Sequence, residues 1–83
     1  MLAKVIVTLK PGVLDPQGQT IQHALNSIGF ADLTELRTGK YFEIKLNTDS
    51  VEHAKTELAK MCEELLSNPV IENYRFEFEN EAL

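Results

Sequence analysis

Apolar and polar residues alternate along three stretches of this chain, and apolar residues recur at helical spacing along two others. In the first alternating run, Ala3 to Leu9, Val5, Val7 and Leu9 stand against Lys4, Ile6 and Thr8. Its many β-branched residues and one wholly apolar side predict a central strand. Pro11-Gly12 stops it, and Val13 and Leu14 lead to a helix. Asp15 is placed to cap that helix, and Pro16 suits its first position, where a missing N–H costs nothing. Ile21, Leu25 and Ile28 follow at i, i+4 and i+7, with Gly18 one turn earlier on the same stripe, and Gly29 is placed as the C-cap. Leu14, just before the cap, fits one half of a hydrophobic staple.

Leu33 to Arg37 predicts a weaker strand, joined by a tight Thr38-Gly39 turn to a clear one from Lys40 to Leu46. There Phe42, Ile44 and Leu46 oppose Tyr41, Glu43 and Lys45. Asp49 and Glu52 have the spacing of a capping box for a second helix. Its stripe is Val51, Ala54, Leu58, Met61 and Leu65, with charged residues on the other side. Asn68-Pro69 breaks that helix. A last strand, about Val70 to Phe78, turns Tyr74, Phe76 and Phe78 inward and Asn73, Arg75 and Glu77 outward, before an acidic tail expected to fray.

The predicted order is β-α-β-β-α-β, an α+β ferredoxin-like domain spanning residues 1–83. It implies a four-stranded antiparallel sheet with two helices on one face and strand order 4-1-3-2. The other face would carry Lys4, Ile6, Thr8, Tyr41, Glu43, Lys45, Asn73, Arg75 and Glu77. That face and the unprotected sheet edges favour an oligomer with Ile6 and Tyr41 or an edge strand in the contact.

Composition narrows the function. At 83 residues, 43% hydrophobic and 25% charged, the chain is an ordinary soluble globule. A net charge of −5 argues against nucleic acid and against an anionic membrane surface. One cysteine, Cys62, excludes an internal disulfide, and with no secretion signal in view the cytoplasm is the expected compartment.

Candidate chemistry is sparse. No Cys-x-x-Cys supports a copper carrier, and His23 and His53 lie on different helices without ligand spacing, so no metal is expected. Cys62 reads as a small buried hydrophobe. The four glycines are too scattered to cradle a phosphate, and the first β–α loop lacks the arginine an acylphosphatase would need. Arg37 to Leu46 only faintly matches an RNA-recognition strand. Gly18 remains open to two readings. It lets the helix lie tight on a sheet, or it marks a face where the glutamines and His23 meet a partner, and on these residues alone packing is the stronger reading. Arg37 and Lys40, beside the turn, are solvated or meet an anionic group on a partner. No catalytic constellation emerges.

These residues do match a family pattern. Val7-Thr8-Leu9-Lys10, Leu14-Asp15-Pro16-Gln17-Gly18, His23-Ala24-Leu25, Gly29-Phe30 and Arg37-Thr38-Gly39-Lys40-Tyr41-Phe42-Glu43 closely resemble the PurS family, the small subunits of phosphoribosylformylglycinamidine synthase. The resemblance extends to Asn68-Pro69-Val70-Ile71-Glu72 and covers nearly the whole chain; the departures are a short N-terminus and a tail that ends soon after the last strand.

The resemblance implies a subunit with no activity alone and no cofactor of its own. It would join a glutaminase and a large synthetase, with ATP and magnesium in the latter, in the fourth step of de novo purine synthesis. There it would act as a dimer or tetramer and help ammonia pass between the two. Leu14, Asp15, Gln17, Gly18, His23, Arg37, Lys40 and Tyr41 are the expected partner-binding residues. Two alternatives are an ACT-like module that binds small molecules and a standalone enzyme on the same scaffold.

Overall fold

β1, Leu2–Leu9, is the middle of the sheet, and its apolar side is the floor of the core: Ala3, Val5 and Val7 are all fully buried. The computed structural model describes residues 1–79. Along them β1 is followed by α1 (Pro16–Ser27), β2 (Gly39–Lys45), α2 (Val51–Met61), one π-helical turn (Cys62–Leu66) and β3 (Glu72–Glu79). The acidic tail, residues 80–83, lies outside the described residues.

Both neighbours of β1 are antiparallel to it, giving the order β2-β1-β3. Val5 stands opposite Phe42 and Phe76, and Val7 opposite Lys40 and Tyr74. The period-2 pattern thus puts Phe42, Ile44, Tyr74, Phe76 and Phe78 on the same face as Val5, where they pack around Leu58 and Cys62.

Among the described residues the sheet has three strands, which corrects the expected four-stranded ferredoxin-like arrangement. Residues 33–38 form no strand and no hairpin with β2. Instead they run back along α1, whose side chains take their carbonyls. Gln22 Nε2 donates to Thr34 O at 3.0 Å, and Asn26 Nδ2 donates to Phe30 O at 2.7 Å and Leu33 O at 3.1 Å. The Thr38-Gly39 pair does not turn tightly either. A two-residue hairpin of the common type needs positive φ at both central residues, and neither residue has it. Gly39 is already in β2 opposite Thr8, so close that a Cβ there would sit 2.6 Å from the carbonyl oxygen of Val7.

The two helices are not equivalent, which corrects the second half of that expectation. Ala54 and Leu58 of α2 are buried, Leu58 in the core on the sheet, but α1 gives no side chain to the core, and its only buried residue is Gly18. Ile21 and Ile28 of the α1 stripe are exposed, Ile28 at 72%. The described chain is correspondingly flat, 48 × 33 × 15 Å, with a radius of gyration of 16.3 Å. A compact chain of this length would have about 12 Å.

Two local expectations also change. Ser50, not Asp49, caps α2, its Oγ accepting from His53 N at 3.1 Å. At the far end the π turn, closed by Ser67 N donating to Cys62 O at 3.0 Å, adds a residue to the helical repeat. Cys62, one regular turn after Leu58, is buried, and beyond it the extra residue rotates the stripe so that Leu66 packs on the core while Leu65 points out at 84% exposure. Burial pushes the Cys62 thiol above its ordinary range, and Glu63 adds to the effect.

Candidate functional site

Six of the eight expected partner-binding residues, Leu14, Asp15, Gln17, Gly18, Arg37 and Lys40, lie where the end of β1, the start of α1 and the start of β2 come together, and Asp15 is the centre of that junction. It is only 4% exposed. As the N-cap of α1 it accepts from Gly18 N through Oδ1 at 2.9 Å. It also reaches across 23 residues, accepting from Thr38 N at 2.7 Å through Oδ2, while the Thr38 hydroxyl lies 3.0 Å from both carboxylate oxygens. Every donor here favours the ionised form. The Thr38 and Gly18 N–H groups hold the carboxyl below the usual carboxylate range against the opposing effect of desolvation, helped by the Thr38 hydroxyl and Arg37.

Gly18 is pressed from two sides. A Cβ there would stand 2.6 Å from Asp15 Oδ2 and 2.7 Å from Leu36 O. The close approach comes from the chain's own return segment, not from the sheet.

Around this buried pair the remaining expected residues divide. Gln17 and Lys40 border a cavity of about 270 Å³ floored by Val7, Leu9 and Pro16. Lys40 Nζ lies 3.8 Å from Glu72 Oε2 across it. Arg37 is exposed beside the same junction, its Nη2 donating to Lys10 O at 3.4 Å. Leu14 is exposed at its edge. His23 is exposed further along α1, and Tyr41 lies on the open sheet face opposite Ile6, 54% exposed, so neither joins the cluster. Thr38 and Glu72 are the participants that sequence reasoning missed. Thr38 looks like a turn residue and Glu72 like the start of a strand, and no local pattern ties either to residues far away in sequence.

The junction is built for holding rather than for reaction. Its buried carboxylate, Asp15, accepts from three donors, which leaves it a poor base. Among the described residues no cluster of His, Cys, Asp and Glu is arranged to hold a metal ion, and no helix is long and apolar enough to cross a membrane.

The lowered pKa of Asp15 carries a sign. Stability from the junction is fully present above the unfolded carboxylate pKa and is lost as pH falls through the lower folded-state value. Urea-unfolding midpoints followed from neutral pH into acid should therefore decline for the wild-type chain and decline less for Asp15→Asn. Identical slopes would show that the carboxylate is not held ionised by these donors.

Comparison with known proteins agrees with the residue pattern. The family model for PurS, described as phosphoribosylformylglycinamidine (FGAM) synthase, matches residues 2–80. The chain belongs to the PurS family. It is 46% identical over 77 residues to the PurS subunit of Methanocaldococcus jannaschii, covering 93% of each chain. The PurS subunit of Bacillus subtilis is also 46% identical over 76 residues, covering 92% of this chain and 89% of that one. The crystal structure of M. jannaschii PurS superposes with a TM-score of 0.86 at 43% identity over 98% of both chains. A chain of the PurLQS structure from Thermotoga maritima superposes at 0.80 with 34% identity, covering 93% of this chain and 96% of that one. The fold is thus shared with solved PurS structures.

Proposed function

We propose that this chain is the small subunit of phosphoribosylformylglycinamidine synthase, acting as a bridge and not as a catalyst. The observation that carries the reading is the match to PurS along nearly the whole chain, at 46% identity to a relative it covers almost completely. Its likeness to a chain of the PurLQS structure supports assembly with two other subunits. In this reading a glutaminase subunit releases ammonia, and a large synthetase subunit, which holds ATP and magnesium, consumes it. The chain keeps the two together so that ammonia passes with little loss to water, in the cytoplasm.

Leu14, Gln17, His23, Arg37, Lys40 and Tyr41 offer exposed contacts for such partners, with Asp15 and Gly18 holding the backbone beneath them. The uncovered stripe of α1 and the edges of the sheet support a dimer or tetramer of the chain within the complex.

Reconstitution tests this. The pure chain is expected to hydrolyse neither glutamine nor ATP, and to restore glutamine-dependent synthesis when added to the two larger subunits. Light scattering on the same preparation should give a multiple of 9.4 kDa. Glutamine hydrolysis that stays with the chain through repurification would overturn the bridging role.

A further inference from the structure

Residues 16–37 form an arm between Asp15, at the end of the loop that follows β1, and Thr38, the residue before β2. Within the arm, α1 and the return segment are bound together by Gln22, by Asn26 and by Phe30 N donating to Leu25 O at 3.1 Å. The arm adds no side chain to the core, so packing on the sheet does not fix its direction. The two chain crossings at its base are joined to each other instead. Asp15 stands on the outgoing crossing and Thr38 on the returning one, bonded by the Thr38 N–H at 2.7 Å and the Thr38 hydroxyl at 3.0 Å. Arg37 adds a peripheral bond to Lys10 O. A buried carboxylate gripping both crossings restricts how the arm swings and twists.

Resting on the reading of this chain as a synthase subunit, we infer that the Asp15–Thr38 clamp is a positioning device that sets the angle of the arm to the sheet. That angle fixes the spacing between the surface carried by the arm, with Gln17 and His23, and the surface carried by the sheet, with Lys40 and Tyr41. Asp15 and Thr38 are positioning residues that act through the backbone without touching a partner. Loosening the clamp leaves the contact side chains in place but divides the free chain among many arm angles, only some of which fit. Apparent affinity falls by the fraction that fits, while the assembled complex, once formed, works as before.

Two variants loosen the clamp while sparing the helix cap. Asp15→Asn retains an oxygen for Gly18 N, since asparagine caps well, but sets an amide N–H₂ where Thr38 N–H needs an acceptor. Thr38→Val removes only the hydroxyl, and Thr38→Ser restores it. Each chain is titrated into the two larger subunits, and glutamine-dependent synthesis is measured. Asp15→Asn and Thr38→Val are expected to raise the half-saturating concentration about ten-fold with the maximal rate within about two-fold of wild type, as expected if roughly a tenth of the free chains hold the right angle. Thr38→Ser should titrate like wild type. Ile44→Val, which thins the core away from the clamp, serves as the control for lost stability and should leave the titration unchanged. Amide exchange in α1 should speed up in the clamp variants while β1 stays protected.

A wild-type titration curve for Asp15→Asn overturns the inference, as does an equal shift from Ile44→Val. If the wild-type chain restores no synthesis, the subunit reading has failed instead. Amide exchange then judges the clamp by itself, and unchanged exchange in α1 rejects it.

Discussion

Gly18→Ala is expected to lower stability, although exchanging glycine for alanine within a helix usually raises it. The usual gain is up to about 1 kcal/mol, from helix propensity and a less flexible unfolded chain. Here the added methyl group would stand 2.6 Å from Asp15 Oδ2 and 2.7 Å from Leu36 O. Neither neighbour yields cheaply. Leu36 O is backbone, and the Asp15 carboxylate is held by Gly18 N and by Thr38. Overpacking of this kind costs about 1–3 kcal/mol, so the clash outweighs the propensity gain. A net loss of about 1 kcal/mol lowers the melting temperature of a domain this size by roughly 4–8 °C. Gly18→Leu should lower it further and weaken assembly with the larger subunits. A melting temperature equal to wild type or higher for Gly18→Ala would mean that α1 and residue 36 are not in contact.

This prediction also shows what could be read from the sequence alone. Asp15, Pro16 and Gly18 announce a carefully started helix, and the structure has it. β1, the strand after Gly39, and β3 follow from alternation over several residues with one strongly apolar side. The expectation for Leu33 to Arg37 failed for a physical reason. Its short apolar pattern suits a strand, but two of its carbonyls, those of Leu33 and Thr34, are taken by Asn26 and Gln22 of α1. Propensity gave way to long-range hydrogen bonds. The same helix looked set to lie on the sheet because Ile21, Leu25 and Ile28 make a regular stripe. A stripe reveals that a face will be covered but not whether its own chain covers it, and in the described chain it does not. Thr38 stayed hidden because its partner is 23 residues away and Thr-Gly reads locally as a turn. Asp15 could be recognised as a cap, not as a clamp.

The π turn leads to the sharpest contrast between helical spacing and structure. On an unbroken α-helix Leu58 and Leu65 lie seven residues apart on one stripe, and truncating either should do similar harm. In the structure they part company. Leu58 is fully buried among Ala3, Val5, Val7 and Cys62, whereas Leu65 is 84% exposed because the extra residue between Cys62 and Ser67 turns it outward. Leu58→Ala should therefore cost about 2–5 kcal/mol, the lost transfer energy plus the cavity left under α2. For a chain of this size that is a large part of the whole, since stability runs at roughly 0.05–0.15 kcal/mol per residue. Leu65→Ala should stay within about 0.5 kcal/mol of wild type, as an exposed substitution does. Urea unfolding of both variants at two protein concentrations measures this. Equal losses, independent of concentration, would mean that the helix runs straight through residue 65 and that Leu65, not Leu66, closes the core. A Leu65→Ala loss that grows with concentration would instead place Leu65 in contact with another copy of the chain. The π turn would then stand, because it is what turns that side chain outward to meet one.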